Sequence, residues 1–365
     1  MPRLLAAPDS FKGTCDAGSI AMAACEAASR AAWDCDRCPL SDGGEGFASV
    51  LSSLGGRILR TRVKGPLGAP VDASWRLAGE TAVIECAEAC GLSLVNGVEG
   101  NDPIAASSSG VGELIAEALS RGARRIIVGL GGSATTDGGM GAVAEIEMAG
   151  GLRGAELLVA CDVNTRFADA ATLFAPQKGA SPEQVAILSE RLHDLAETYK
   201  ARYGVDVSSL DGAGAAGGLG GGLAAVGGQL VPGADLVAEA VGLQERMRMA
   251  DLVLTGEGRL DATSWKGKVV GKVVSLASAS TPPVPVLVVA GSVAENAMSM
   301  AMGRIDLPEE DGWLQEGSGS ELRAIGVPEV VSLVERFGEE RALADPAGCV
   351  ANVVRERLER GEPST

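Results

Sequence analysis

Histidine is nearly absent from this chain: there is one in 365 residues, His193. That scarcity removes Ser-His-Asp catalysis and histidine-based metal sites, and leaves carboxylates and lysines as candidate general bases. Basic blocks are missing too. At a formal charge of −17 the chain lacks the electrostatic footprint of a nucleic-acid binder, so an anionic substrate must be met by local donors. No apolar run reaches the roughly 20 residues a bilayer helix requires. The start, Met1-Pro-Arg-Leu-Leu-Ala-Ala, is too short for a signal-peptide core. A cytoplasmic protein with neither membrane nor nucleic acid as partner is the expectation. Aromatics make up only 3% against 46% hydrophobic residues. Cores of Ala, Val, Leu and Ile follow, suited to two α/β domains sharing a cleft. The eight cysteines include the pairs Cys35/Cys38 and Cys86/Cys90. With so little histidine they are read as buried thiols, zinc and a cytosolic disulfide both being less favoured.

What the chain has in quantity is glycine turns that carry acids and hydroxyls. The central one is Gly129-Leu-Gly-Gly-Ser-Ala-Thr-Thr-Asp-Gly-Gly139, after the apolar run Arg125-Ile-Ile-Val and before a helical stretch opening at Met140. Strand, glycine turn and helix start together make an anion site, because a helix start carries unsatisfied donors and partial positive charge. Ser133, Thr135 and Thr136 add hydroxyls, and Asp137 a carboxylate for Mg²⁺ or a proton. Asp42-Gly-Gly-Glu-Gly46, Asp211-Gly-Ala-Gly-Ala-Ala-Gly-Gly218 and Thr255-Gly-Glu-Gly-Arg-Leu-Asp261 repeat the pattern.

Along the chain, Ser10 and Lys12 follow a first strand, at the end where open α/β sheets bind ligands. A helix capped by Asp16 or Ser19 runs to about Trp33, and another runs from Glu45 to about Leu54. From Arg57 to Cys90 the alternation of apolar and polar residues reads as antiparallel strands of an inserted domain. Asp162 ends a strand. Gln177 and Lys178 precede a helix opened by Ser181-Pro182-Glu183, whose apolar stripe is Val185, Leu188, Leu192, Leu195 and Tyr199, with His193 beside it on the surface. Lys268 lies near a helix N-terminus, where a cation is misplaced unless it meets an anion. Strands are expected at 284–291 and 328–334, an exposed acidic loop at 308–320, a last helix at about 347–358 and a frayed tail at 362–365. The fold class expected is α/β: a doubly wound, mostly parallel domain (1–56 with 105–145 and 250–365) plus a smaller mixed-sheet domain (57–104 with 146–249).

In order, Ala7-Pro-Asp-Ser-Phe-Lys-Gly13, Asp42-Gly-Gly-Glu-Gly46, Lys64-Gly-Pro-Leu-Gly68 and the central glycine motif closely resemble bacterial glycerate kinases of the glycerate 2-kinase type. Ala160-Cys-Asp-Val163, Phe174-Ala-Pro-Gln-Lys-Gly-Ala180, Gly212-Ala-Gly-Ala-Ala-Gly-Gly218 and Thr255-Gly-Glu-Gly-Arg259 continue the resemblance to about residue 291. It implies two α/β domains around a cleft and ATP with Mg²⁺ phosphorylating D-glycerate, and it leans towards 2-phosphoglycerate as product. Three departures stand out. Only 140–160 connect the central motif to the Cys-Asp-Val strand, where the family carries several tens of residues. Asn164-Thr-Arg-Phe167 replaces the family's Asn-Pro-Leu, and 294–326 is an altered, enlarged stretch.

The chain has neither a Walker loop nor a protein-kinase catalytic loop. The expected machinery is therefore local. Gly131, Gly132, Ser133, Thr135, Thr136 and Gly138 would hold phosphate, with Gly217, Gly218, Thr255, Gly256, Glu257 and Lys268 completing the nucleotide site. Lys12, Lys178 or Lys268 would neutralise the transferring group. Asp162 or Asp42 would be the base, and Asp137 would lie near the metal. Ser10, Gly43, Gly44, Gln177 and Arg259 would face the substrate, with Arg259 or Lys12 on its carboxylate. A homodimer is left open. Two other readings are weaker. A dinucleotide-dependent oxidoreductase needs an acid about 20 residues after the glycine motif, and Asp162 is too far along. A catalytically degenerate glycerate or nucleotide sensor has little use for so many retained carboxylates.

Overall fold

The computed structural model describes residues 1–11, 13–44, 46–265, 268–295, 297 and 328–360. Lys12, Glu45, the acidic stretch 308–320, most of the altered stretch 294–326 and the tail 362–365 lie outside the described residues. In chain order the described strands are β1 (Arg3–Ala6), β2 (Asp34–Arg37), β3 (Arg57–Lys64), β4 (Pro70–Ala78), β5 (Thr81–Glu85), β6 (Arg125–Gly129), β7 (Glu156–Ala160), β8 (Gln229–Val231), β9 (Leu252–Leu260), β10 (Val286–Val293) and β11 (Glu329–Ser332). They form two sheets, β11-β10-β9-β1-β2 and β3-β4-β5-β6-β7-β8. The chain divides into two compact units, 1–41 with 237–365 and 42–236.

The five-stranded sheet is parallel throughout, and both of its faces are buried. Along β10, Leu287 and Val289 enter one core while Val288 and Ala290 enter another, as a continuous apolar run requires. The helices Ala17–Arg30 and Pro346–Glu359 supply the first core, and Val269–Ser278 supplies the second. Asp16 caps the first helix by accepting from the Ser19 N–H at 2.8 Å, and Asp345 caps the last by accepting from Gly348 at 2.9 Å. Between β1 and β9 the strand order reverses: β1 leads outward to β2 on one side and β9 to β10 on the other. Such a reversal opens a crevice at the carboxyl ends of the strands.

The six-stranded sheet begins as an antiparallel meander, β3–β4–β5, and continues parallel from β5 to β8. The shortened connection after the central motif is a closed βαβ crossover. β6, the helix Met140–Met148 and β7 follow one another, and the strands pair from Arg125↔Glu156 to Gly129↔Ala160.

The structure corrects the expected domain boundaries. Residues 42–56 and 105–145 belong with the mixed sheet, because β6 pairs with β5 and β7, and 237–249 belong with the parallel one. The mixed sheet is the larger of the two. Periodicity marks a strand but not its neighbour. The cysteine expectation also changes, since Cys25 and Cys35 form a disulfide with Cα atoms 5.3 Å apart. It ties the helix Ala17–Arg30 to β2, a proximity created by packing. Cys38, Cys86 and Cys90 are buried and free. Among the described residues no helix is long and apolar enough to cross a membrane.

One close approach inside the parallel sheet is diagnostic. A Cβ at Gly256 would stand 1.8 Å from the carbonyl oxygen of Val289, its partner on β10. Gly256→Ala is expected to cost roughly 3 kcal/mol or more, because two strands must part. Urea denaturation of the variant beside the unmodified protein measures this, and an unchanged midpoint would contradict the packing.

Candidate active site

The central glycine loop is not an open anion cradle. Asp137 is 6% exposed, and its carboxylate accepts from the N–H and hydroxyl of Ser108 (both 2.8 Å), from Gly139 (3.0 Å) and from Gly141 (3.2 Å). The Ala142 N–H donates to the Ser108 hydroxyl at 3.0 Å. The donors expected to meet a phosphate at the start of Met140–Met148 are thus bonded within the protein. Asp137 therefore caps the helix, with three of the four donors on Oδ2 and only the Gly139 N–H on Oδ1. Among the described residues no group of three or more His, Cys, Asp or Glu is placed to hold a metal ion.

Lys178 enters the same loop from below. It is 5% exposed and its Nζ donates to Ser133 Oγ at 3.0 Å and to the Thr135 carbonyl at 2.6 Å. Burial pushes its ammonium down to about 8, against the pull of Cys90, Cys86 and Asp137. Asn101 binds the Ala134 and Lys178 carbonyls. Gly217 and Gly218, at φ +70° and +89°, close a second loop on the first: the Gly138 N–H donates to the Gly217 carbonyl, and a Cβ at Gly217 would stand 2.1 Å from the Thr135 oxygen. Ser133, Thr135, Gly138, Gly217 and Gly218 are therefore buried and tied into the protein, while Thr136 is buried with its hydroxyl unpaired among the described residues. Only Gly131 and Gly132 keep exposure. Gln177 is exposed on the turn Pro176–Lys178.

Two other predicted acids do come together. Asp162 follows the carboxyl end of β7 and accepts from the N–H groups of Gly233 (2.8 Å) and Ala234 (3.2 Å). Burial first, then the charges of Asp42 and Asp235, raise its carboxyl to about 7 despite those two donors. Asp42 accepts from Gly44 at 3.1 Å. Its backbone packs on Gly233, where a Cβ would stand 2.3 Å from the Asp42 carbonyl oxygen. Gly43, at φ +92°, lies so near Ala160 that a Cβ would stand 2.9 Å from that carbonyl. A carboxylate poised near neutrality at a strand end has the character of a general base.

In the other unit a cavity of about 330 Å³ opens where the strand order reverses. Ser10, Glu257, Arg259, Lys268 and Ser292 are among its lining residues. Thus Ser10 and Arg259, expected on the substrate, share one cavity with Glu257 and Lys268, expected on the nucleotide. Thr255 and Gly256 are buried within β9. Lys268 directly precedes the helix Val269–Ser278, and the charge of Asp261 lies close enough to interact with it. The misplaced cation thus has a nearby carboxylate. Two residues of the acid and glycine-loop system were missed in the sequence. Ser108 gave no local signal. Glu85, which ends the apolar strand β5 as Asp162 follows β7, carried one.

Lys178→Met would strand the Thr135 carbonyl and should cost roughly 2–4 kcal/mol. The folded lysine binds its proton less tightly than the unfolded one, so its contribution to stability rises as pH climbs from about 8 towards 10.5. The gap between wild type and variant should therefore widen over that window. Chemical denaturation at pH 7 and pH 10 checks both, and a gap that narrows would contradict the buried charge.

A family model described as the glycerate kinase family matches residues 4–150 and 143–307. The two matches meet at the shortened connection. An uncharacterised protein of Mycobacterium bovis is 41% identical over 99% of this chain and 93% of its own length. Glycerate 2-kinase of Escherichia coli is 38% identical over 80% of this chain and 86% of its own. Glycerate kinase of Bacillus subtilis is 36% identical over 83% and 88%. A crystal structure of a candidate glycerate kinase 2 from Salmonella typhimurium LT2 superposes with a TM-score of 0.76, at 32% identity, covering 98% of both chains. The chain belongs to the glycerate kinase family.

Proposed function

We propose that this protein transfers a phosphoryl group from ATP to a hydroxyl of D-glycerate, giving 2-phosphoglycerate, as a cytoplasmic enzyme. The observation that carries the proposal is Asp162, a strand-end carboxylate raised to about 7 by burial and by Asp42. In its ionised form Asp162 accepts the proton of the glycerate hydroxyl as that oxygen attacks phosphorus. Burial and, after it, the neighbouring Asp42 make Asp162 basic enough for the task.

The cavity lined by Arg259 and Lys268 suits anionic groups. Arg259 offers a forked donor set and Lys268 a point charge, both matched to carboxylate or phosphate oxygens. Mg²⁺ has no dedicated cage among the described residues. It would arrive on the nucleotide phosphates and keep much of its water, as that ion commonly does. The glycerate 2-kinase named in Escherichia coli supports the choice of hydroxyl.

ADP release from ATP, Mg²⁺ and D-glycerate, with L-glycerate, tartronate and no-acceptor controls, tests the reaction, and phosphorus NMR identifies the isomer. Turnover that depends on D-glycerate is expected. Its absence, with glycerate or ATP still bound in calorimetry, would overturn the reading. Because the base works ionised, kcat/KM should fall about tenfold per pH unit below roughly pH 7 and level off above it. Asp162→Asn should lower kcat by roughly 10²–10⁴-fold and abolish that limb. A folded Asp162→Asn protein with near-normal turnover would remove Asp162 from the chemistry.

A further inference from the structure

The loop that carries Asp42 is held by a residue outside every glycine motif. Glu85 stands at the carboxyl end of β5, opposite Gly129 on β6. Its two oxygens accept from the N–H of Gly46 at 2.9 Å and from that of Ala48 at 3.3 Å. Three glycines let the same loop lie against the framework. A Cβ at Gly129 would stand 2.9 Å from the Gly43 carbonyl and 2.7 Å from the Phe47 ring; at Gly43 it would reach the Ala160 carbonyl, and at Gly233 the Asp42 carbonyl. Gly233 is also the residue whose N–H holds Asp162. The loop is thus gripped by hydrogen bonds at β5 and by contact at β6, β7 and Gly233.

We propose that Glu85 is a positioning residue: its carboxylate fixes the Asp42 loop across the ends of β5, β6 and β7, and so sets the place of Asp42 beside Asp162. This deepens the kinase reading and rests on it for its kinetic consequences. Among the described residues the charges that act on Asp162 are those of Asp42 and Asp235, with the Cys161 thiol next in the chain. Glu85 reaches the Asp42 loop at Gly46 and Ala48, and the effect tested is the one that loop passes to Asp162. A loop released from Glu85 carries the Asp42 charge away, and Asp162 then ionises more readily.

The test compares wild type, Glu85→Gln and Glu85→Ala by steady-state kinetics from pH 5.5 to 9 and by carbon-13 NMR titration of the aspartate carboxyls. Glu85→Ala should lower kcat roughly tenfold to hundredfold with KM for ATP little changed. Its acid limb and the Asp162 titration should both move to lower pH, by roughly half a unit or more. Glu85→Gln keeps the shape and one acceptor, so it should shift both in the same direction by less. If Glu85→Ala fails to fold, Glu85→Gln decides. Folded variants with wild-type kcat, acid limb and Asp162 titration would overturn the proposal, leaving Glu85 a purely structural cap. Absence of turnover in wild type would instead count against the kinase reading, and the NMR titration would still judge Glu85.

Discussion

Asp162 is held by two opposed influences, and much of the surrounding structure exists to keep them in place. Two backbone donors, from Gly233 and Ala234, favour its charge. Burial and the carboxylates of Asp42 and Asp235 oppose it. A group balanced this way near neutrality can take a proton and give it back. The balance depends on close approach, and close approach depends on positions without a side chain at Gly43, Gly129 and Gly233. In this unit the glycines allow the loop, the strand ends and the next helix to crowd around one carboxylate.

The central glycine loop shows the same economy turned inward. Its helix start faces Asp137 and Ser108, and its buried faces meet Lys178, Asn101 and the loop at Gly217. Buried polar groups of this kind must be paired or they destabilise the fold. Lys178 and Asp137 each place their charge among hydrogen-bond partners. The loop is therefore rigid scaffold, which in the same unit supports the ends of β5, β6 and β7.

The parallel sheet solves a different problem. Its reversal of strand order between β1 and β9 leaves a crevice, and Ser10, Glu257, Arg259 and Lys268 are among the residues that line it. Opposite charges in one cavity suit a ligand that presents both an anion and hydroxyl groups.

Much of this was legible in the residues themselves. Strand and helix periods, the caps at Asp16 and Ser181, the meander after Arg57 and the order of the glycine motifs follow from local chemistry, because each depends on residues a few positions apart. The residues also offered Asp162, at a strand end, and Asp42, in a glycine turn, as candidate bases, and the fold brings the two within reach of each other's charge. Partnership was not legible. That β6 belongs to the mixed sheet, that Cys25 meets Cys35, that Asp137 is consumed by Ser108 and that Glu85 grips Gly46 all join residues distant in sequence. Local chemistry determined which groups this protein has to work with. Only tertiary packing decided which of them face each other, because burial and hydrogen-bond competition act between surfaces that come together once the chain has folded.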